Sequence, residues 1–259
     1  MIKAYLHLVY IDFKNSFVYK ADTVLGIIAG ILSLYMYIFL WRAMLGESAA
    51  LSEMVTYQAF GIFLGFCYDS GVASLVGGRV MDGAIVMDFI KPYNYAASML
   101  CGSLGRMTGN LVKKGIPYLA AAFLTTGFQV RMQTAMLLPF LLIMAGNMFL
   151  YWLIFFCVGL LHFMLVSAGW FERVMKDVIK LLGGSVIPLW MFPGFLSGTA
   201  SLFPFWILFQ LPQSMLAGTA ALDELGKPIC MLFVWIAVLT ATAYLLWKLA
   251  VRRITVQGG

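Results

Sequence analysis

Residues 23–45 read TVLGIIAGILSLYMYIFLWRAML, and Arg42 is the only charge among them. A helix needs about 20 apolar residues to cross the ~30 Å hydrocarbon core of a bilayer. This stretch is long enough and apolar enough to do so. Comparable runs at 55–76, 97–126, within 135–165, from 178 to about 191, and at 228–247 bring the expected crossings to six. Composition agrees. The 259 residues are 63% hydrophobic and 11% charged, where a soluble chain carries about 25% charged. A water-facing surface cannot be built from so few charges, so lipid must be the main solvent. Six crossings with short loops use nearly the whole chain, which is expected to be one all-α polytopic domain without a separate soluble part.

The segments are not equivalent. Residues 1–20 read as an amphipathic helix suited to the membrane interface, with Ile2, Tyr5, Leu6, Val9, Phe13 and Phe17 on one face and Lys3, His7 and Lys14 on another. They lack the compact apolar run and cleavage site of a signal peptide. The third run is polar in its first half, with Arg106, Asn110, Lys113 and Lys114. The fifth region, 178–217, is broken by Pro188, Pro193, Pro204 and Pro212, with Gly194 and Gly198 between them. Proline removes a helical donor and clashes with the preceding turn. One span to about residue 191 is therefore expected, followed by short hairpinned helices over 192–217 that dip back into the outer leaflet. Irregular backbone survives there only against protein or a wet cavity.

Six crossings put both termini on one side. Lys3, Lys14, Lys20, Arg79, Lys91, Arg106, Lys113, Lys114, Arg173, Lys176, Lys180, Lys248, Arg252 and Arg253 then share that side. Arg42, Arg131 and Lys227 fall on the other. The positive-inside rule places the crowded side, and both termini, in the cytoplasm.

The chemistry of an enzyme is missing. Leu225-Gly226-Lys227-Pro228 is the nearest string to a P-loop, and it lacks the upstream glycine and the hydroxyl residue. The chain is not expected to hydrolyse nucleotide by itself. Two histidines, His7 and His162, leave no bis-histidine or histidine-rich metal site, and no Ser–His–Asp grouping is visible. Cys67, Cys101, Cys157 and Cys230 lie in or beside apolar stretches without C-x-x-C spacing, so they read as buried and inert. No cofactor, metal or nucleic-acid partner is expected.

Two polar features stand out. Residues 79–92 mix charges with apolar side chains and end in Lys91-Pro92. A short helix here, one face apolar and one charged, could dock on a partner protein, or the loop could rest on headgroups. Asp69 lies within the second run, where a carboxylate is costly without a partner. Arg106 could meet it at similar depth, or it could snorkel away and leave Asp69 in a wet cavity. Gly26/Gly30, Gly61/Gly65 and Gly105/Gly109 provide three small-residue faces for close helix packing.

Together these features resemble the membrane subunit of an ABC-2 type exporter, and more narrowly its small six-span branch, formerly of unknown function. The opening through Lys20-Ala21-Asp22 is similar to the start of that branch. Asp82-Gly83-Ala84-Ile85-Val86-Met87-Asp88-Phe89-Ile90-Lys91-Pro92 is similar to its signature after the second span, with Phe89-Ile90 where two leucines are usual. The proline-rich run from Ile187 to Pro212 resembles its broken fifth span. The resemblance implies a permease half in a bacterial cell membrane. It would face a second permease, identical or homologous, over two cytoplasmic ATP-binding-cassette subunits that hold ATP and magnesium. It assigns ATPase coupling to Arg79, Asp82, Gly83, Ile85, Asp88, Phe89, Lys91 and Pro92. It places a gate at Pro188, Pro193, Pro204 and Pro212, and a path for drug, peptide, lipid or glycan along the first, second and fifth spans. The alternative is a secondary transporter without an ATPase that uses Asp69 and the broken fifth span.

Overall fold

A long rod, α2 (Lys20–Leu45), follows a short helix, α1 (Ile2–Ser16). At 1.5 Å per residue, 26 residues reach about 39 Å, more than the hydrocarbon core requires. The computed structural model describes residues 2–69, 71–91, 93–165 and 169–252. Gly46, at φ 63° and ψ −161°, turns the chain after α2 in a conformation that favours glycine. α3 (Ala49–Cys67) and α4 (Gly71–Met81) then run back along it, and α5 (Ile85–Ile90) is a one-and-a-half-turn helix at the end of that return.

α6 (Tyr95–Asn110) and α7 (Ile116–Thr126) form one rod joined by a π-helical turn, Leu111–Gly115. Pro117 explains the turn. It has no N–H for the carbonyl four residues back, and widening the helix there accommodates the ring. Gly127, in the left-handed region, ends the rod. α8 (Leu137–Leu160) is the central helix. α9 (Gly169–Leu182), α10 (Gly194–Leu202), α11 (Phe205–Leu208) and α12 (Gln210–Ala217) make up the fifth region, and α13 (Gly226–Arg252) closes the chain. All regular structure among the described residues is helical.

Among the described residues, four helical stretches are long and apolar enough to cross a membrane: Lys20–Leu45, Ala49–Met81 (α3 and α4 together), Thr134–Phe163 and Asp223–Arg252. The other two expected crossings are of a different kind. The α6–α7 rod has the length but carries three cations, Arg106 in α6 and Lys113 and Lys114 in the π-helical turn, and the fifth region is assembled from pieces. α3, α4, α8, α11 and α12 supply the main core, centred on Leu64, Val72, Leu150, Phe155, Leu208 and Met215. α2 and α13 flank it with apolar side chains left outside, such as Met36 (72% exposed) and Leu245 (60%). Apolar exposure on that scale fits lipid, not water. Cys67 is buried, but Cys230 is exposed on α13, contrary to the expectation for all four cysteines.

Two expected spans are interrupted. The second is not a continuous helix over 55–76. Tyr68 is extended (φ −76°, ψ 137°), and α4 starts afresh at Gly71, whose N–H donates to Asp69 Oδ1 at 3.1 Å. The fifth does not run as a helix to residue 191. It stops nine residues earlier, at Leu182, because Gly183 and Gly184 (φ +71°) turn the chain out. The chain returns to this point at the start of α12, where Gln210 N–H donates to the Gly183 carbonyl at 3.0 Å. The break therefore lies at the glycine pair. The prolines sit at the starts of the short helices that follow: Pro188, Pro193 and Pro204 as N-caps, and Pro212 in the first turn of α12. A missing N–H costs nothing at those positions.

α1 is held by glycine. A Cβ on Gly102 would fall 2.6 Å from Asp12 Oδ2, and Cβ atoms on Gly105 and Gly109 would collide with the Val9 carbonyl and Ser16 Oγ. The Gly105/Gly109 face thus seats a helix of the same chain. α1 turns Val9, Asp12, Phe13 and Ser16 toward α6 and leaves Ile2, Leu6 and Tyr10 exposed.

Candidate functional site

The α4–α5 elbow is built around one buried carboxylate. Gly83 (φ +68°) makes the turn, a conformation that would strain any residue with a Cβ. It folds α5 back so that Asp88, 3% exposed, accepts from Arg79 Nη1 and from Lys91 Nζ at 2.8 Å. Burial pushes the Asp88 carboxyl up, but the bonds from Arg79 and Lys91 outweigh it and hold the group below the usual carboxylate range. Ile85, 4% exposed, anchors the same face in the core cluster that also holds Tyr95 and Met99. Asp82 and Gly83 are exposed at the bend.

Of the residues assigned to coupling, Ile85 and Asp88 therefore face inward and Arg79 serves the clamp. The Phe89 side chain and Pro92 lie outside the described residues. The outward face carries Met81 (70% exposed), Met87 (66%) and Ile90 (73%), none of which the motif reading had singled out as a docking surface. A six-residue helix has two faces, and the pattern alone does not say which one the protein keeps.

Beside the elbow, Arg106 joins three elements. Its Nε lies 2.7 Å from Asp69 Oδ2 at the α3–α4 break, its Nη1 3.6 Å from Asp12 Oδ2 on α1, and its Nη2 donates to Ser103 Oγ at 2.9 Å. Burial pushes the Asp12 carboxyl up against the pull of Arg106, and the nearby Asp69 charge adds to the rise. Lys113 donates to the Ser16 carbonyl, and Lys114 Nζ lies 2.7 Å from Asp22 Oδ2. The cations that make the third run look polar are thus spent on α1 and the start of α2. Asp69, already the cap of α4 and the partner of Arg106, is poorly placed to act as a free ion-binding carboxylate.

The broken fifth crossing exposes carbonyls, and side chains from other helices cover them. Tyr57 Oη donates to Gly184 O (2.6 Å), Gln58 Nε2 to Val186 O (2.7 Å), Tyr68 Oη to Leu208 O (2.6 Å) and Asn147 Nδ2 to Ile207 O (2.7 Å). Gln210 Oε1 accepts from Leu189 N (2.7 Å), and Gln213 Nε2 donates to Tyr57 O (3.1 Å). Without water, each uncapped group costs several kcal/mol, at ~2–7 depending on the reference state. The sequence reading missed this set. The signal was present as three amides, Gln58, Asn147 and Gln213, inside apolar runs, to which the rule applied to Asp69 extends equally.

Two further spaces border the break. A groove of about 330 Å³ runs along Gly26, Gly30, Gly61 and Gly65 to Lys180 and Phe209. A cavity of about 610 Å³ lies at the end of the molecule where Glu53, Trp190, Trp206, Glu224 and Lys227 meet. Arg131 and Arg42 are at that end too, paired with Glu53 (3.0 Å) and Glu47 (3.3 Å).

All-helical structure with several helices long and apolar enough to cross a bilayer makes this a polytopic membrane protein. The chain belongs to the ABC-2 family transporter proteins, whose family model matches residues 25–258. It is the permease component of an ABC transporter and is not itself the ATPase; membrane permeases of this family work with ATP-binding-cassette subunits. No curated protein matches the sequence.

Proposed function

We propose that the chain is the membrane half of an ATP-driven exporter in a bacterial cell membrane, with α5 as the docking helix for a cytoplasmic ATP-binding-cassette subunit. The observation that carries this reading is the clamped elbow. Asp88 fixes α5 to α4 from the inside, which leaves Met87 and Ile90, three residues apart on α5, exposed, with Met81 exposed at the end of α4. Apolar side chains held out on a short helix suit a groove on a partner. ATP and magnesium belong to that partner. The distribution of lysine and arginine supports a cytoplasmic position for the elbow and both termini.

A second permease, identical or homologous, completes the assembly, with two ATPase subunits beneath. The groove along α2, α3 and the glycine pair supports a path for an amphipathic or hydrophobic cargo, whether drug, peptide, lipid or glycan. The short helices α10 to α12 form the gate at the outer end. Binding and hydrolysis of ATP shift the permease between packings because the ATPase contacts each packing differently.

The test is co-purification with the ATP-binding-cassette subunit, followed by ATPase assay in vesicles. Met87→Asp with Ile90→Asp is expected to abolish co-purification while the permease still folds and inserts. Unchanged assembly and ATPase stimulation in that variant would sink the docking assignment.

A further inference from the structure

α1 and the turn into α2 sort their charges by direction. Both carboxylates of this segment are used by the protein: Asp12 Oδ2 lies 3.6 Å from Arg106 Nη1, and Asp22 Oδ2 2.7 Å from Lys114 Nζ. Its lysines, Lys3, Lys14 and Lys20, are all exposed, and none has a carboxylate partner among the described residues. Lys14 only covers the Tyr10 ring, at 4.6 Å. The segment therefore presents its positive charge outward and keeps its negative charge against the protein. Apolar side chains accompany the lysines. Ile2 (77% exposed), Leu6 (64%) and Tyr10 follow one another at four-residue spacing, which makes them one ridge of the helix. Lys14 ends that ridge, and Lys3 and His7 stand beside it. Phe17, Val18 and Tyr19 carry the exposed apolar surface on to Lys20, where α2 begins. The opposite face is seated on Gly102, Gly105 and Gly109 of α6, so α1 cannot roll to hide the ridge.

We infer that this face binds the anionic phospholipid surface of the leaflet where α2 begins. Ile2, Leu6 and Phe17 enter the boundary with the acyl chains, and Lys3, Lys14 and Lys20 meet headgroup phosphates. Charge complementarity selects this occupant. Water is a poor solvent for the ridge, and hydrocarbon is a poor one for the lysines; the headgroup boundary serves both. The leaflet is also at hand, because α2 is a membrane-crossing helix that starts at Lys20. A zwitterionic leaflet would satisfy the apolar ridge alone. An acidic one also draws each lysine that has no partner within the protein. Lipid charge then presses α1 onto α6, where Asp12 reaches Arg106. The inference requires only that the chain sits in a bilayer and is independent of cargo or ATPase.

The experiment places the full chain in nanodiscs of phosphatidylcholine, with or without phosphatidylglycerol, and follows amide hydrogen exchange over residues 2–16. Phosphatidylglycerol should slow exchange there by about fivefold for each lysine engaged, on the order of 100-fold for all three. Exchange in α8 should not change. Phosphatidylserine should reproduce the gain, since charge is what the lysines read. Added salt should reverse it, because headgroup charge is screened beyond about 10 Å at 0.1 M. Lys3→Gln, Lys14→Gln and Lys20→Gln together should remove the gain and keep the rate seen in phosphatidylcholine alone. All three side chains are exposed, so the variant is expected to fold, and exchange in α8 checks that it does. Equal exchange in the two lipids would overturn the inference. So would a gain that survives in the triple variant or resists salt. Slowing that appears only when an ATP-binding-cassette subunit is added, with no response to phosphatidylglycerol, would give the face to that partner and overturn it as well.

Discussion

Replacing Asp88 by alanine should release α5 from α4 without unfolding the rest of the protein. The size of the effect can be worked from its two bonds. Lys91 keeps 44% of its side chain exposed, so that pair contributes about 0.5 kcal/mol, the level of a surface ion pair. Arg79 is 34% exposed but meets a carboxylate that is only 3% exposed, and a hydrogen bond to such a charged group contributes about 1.5–3 kcal/mol. Together they hold the elbow by about 2–3.5 kcal/mol, and each 1.4 kcal/mol is a tenfold change in the open-to-closed ratio. Amide hydrogen exchange over residues 85–90 should therefore quicken about 30- to 300-fold in Asp88→Ala. Exchange in α8 should stay unchanged. Because the folded Asp88 carboxyl is held low, its contribution is complete above its unfolded value, near 4, and is lost as pH falls through the folded value. Once corrected for intrinsic rates, protection of α5 should be flat from pH 5 to 8 and weaken only below about 4. Exchange within threefold of wild type in the alanine variant would refute the clamp. ATPase stimulation should fall with the open fraction, whereas Met87→Asp should lower it with no change in exchange, which separates holding the helix from docking on it.

Gly105→Leu drives a side chain into the Val9 carbonyl and should detach α1 from α6, since neither backbone can retreat cheaply; overpacking costs about 1–3 kcal/mol or more. Amide hydrogen exchange over residues 2–16 should quicken in the variant, and an unchanged rate there would show that α1 is held some other way. Gln58→Leu leaves the Val186 carbonyl bare beside the broken fifth crossing and should destabilise the protein by about 1–3 kcal/mol in detergent unfolding. Asn147→Leu should cost a similar amount at the Ile207 carbonyl, and wild-type stability in both variants would show that the break is capped some other way.

Much of this architecture is legible in the chain because lipid is a demanding solvent. Runs such as 23–45 have no other stable use, and prolines at 188, 193, 204 and 212 announce that the fifth region cannot be one rod. The positions of the breaks are harder to read. Gly183 and Gly184 look like ordinary packing residues until Gln210 is seen to bond the Gly183 carbonyl, and 26 residues of sequence separate those partners. Asp69 is conspicuous as a lone carboxylate, yet nothing local says that it caps a new helix as well as meeting Arg106. The direction of Asp88 is hidden for the same reason. Whether the charge or the methionine of a short helix faces inward depends on Arg79, nine positions away and on another helix.

A common logic connects the parts that local reading misses. Both interrupted crossings lean on side chains from other segments: Tyr57, Gln58 and Asn147 bond carbonyls of the fifth crossing, Tyr68 bonds the last carbonyl of α11, and Arg106 meets the Asp69 carboxylate at the α3–α4 break. In water a broken helix can be capped by solvent, so a break and its surroundings vary independently. In a bilayer they cannot, since an uncapped carbonyl has no alternative donor. A polar side chain in an apolar run is therefore information about some other segment, and a glycine pair or proline in that segment says where the polar side chain is used. Read jointly, Gln58, Asn147 and Gln213 on one side and Gly183-Gly184 on the other mark the same place in the molecule. Tyr68 ties that place to the second break through the Leu208 carbonyl, so the two interrupted crossings share one polar seam inside an otherwise apolar core.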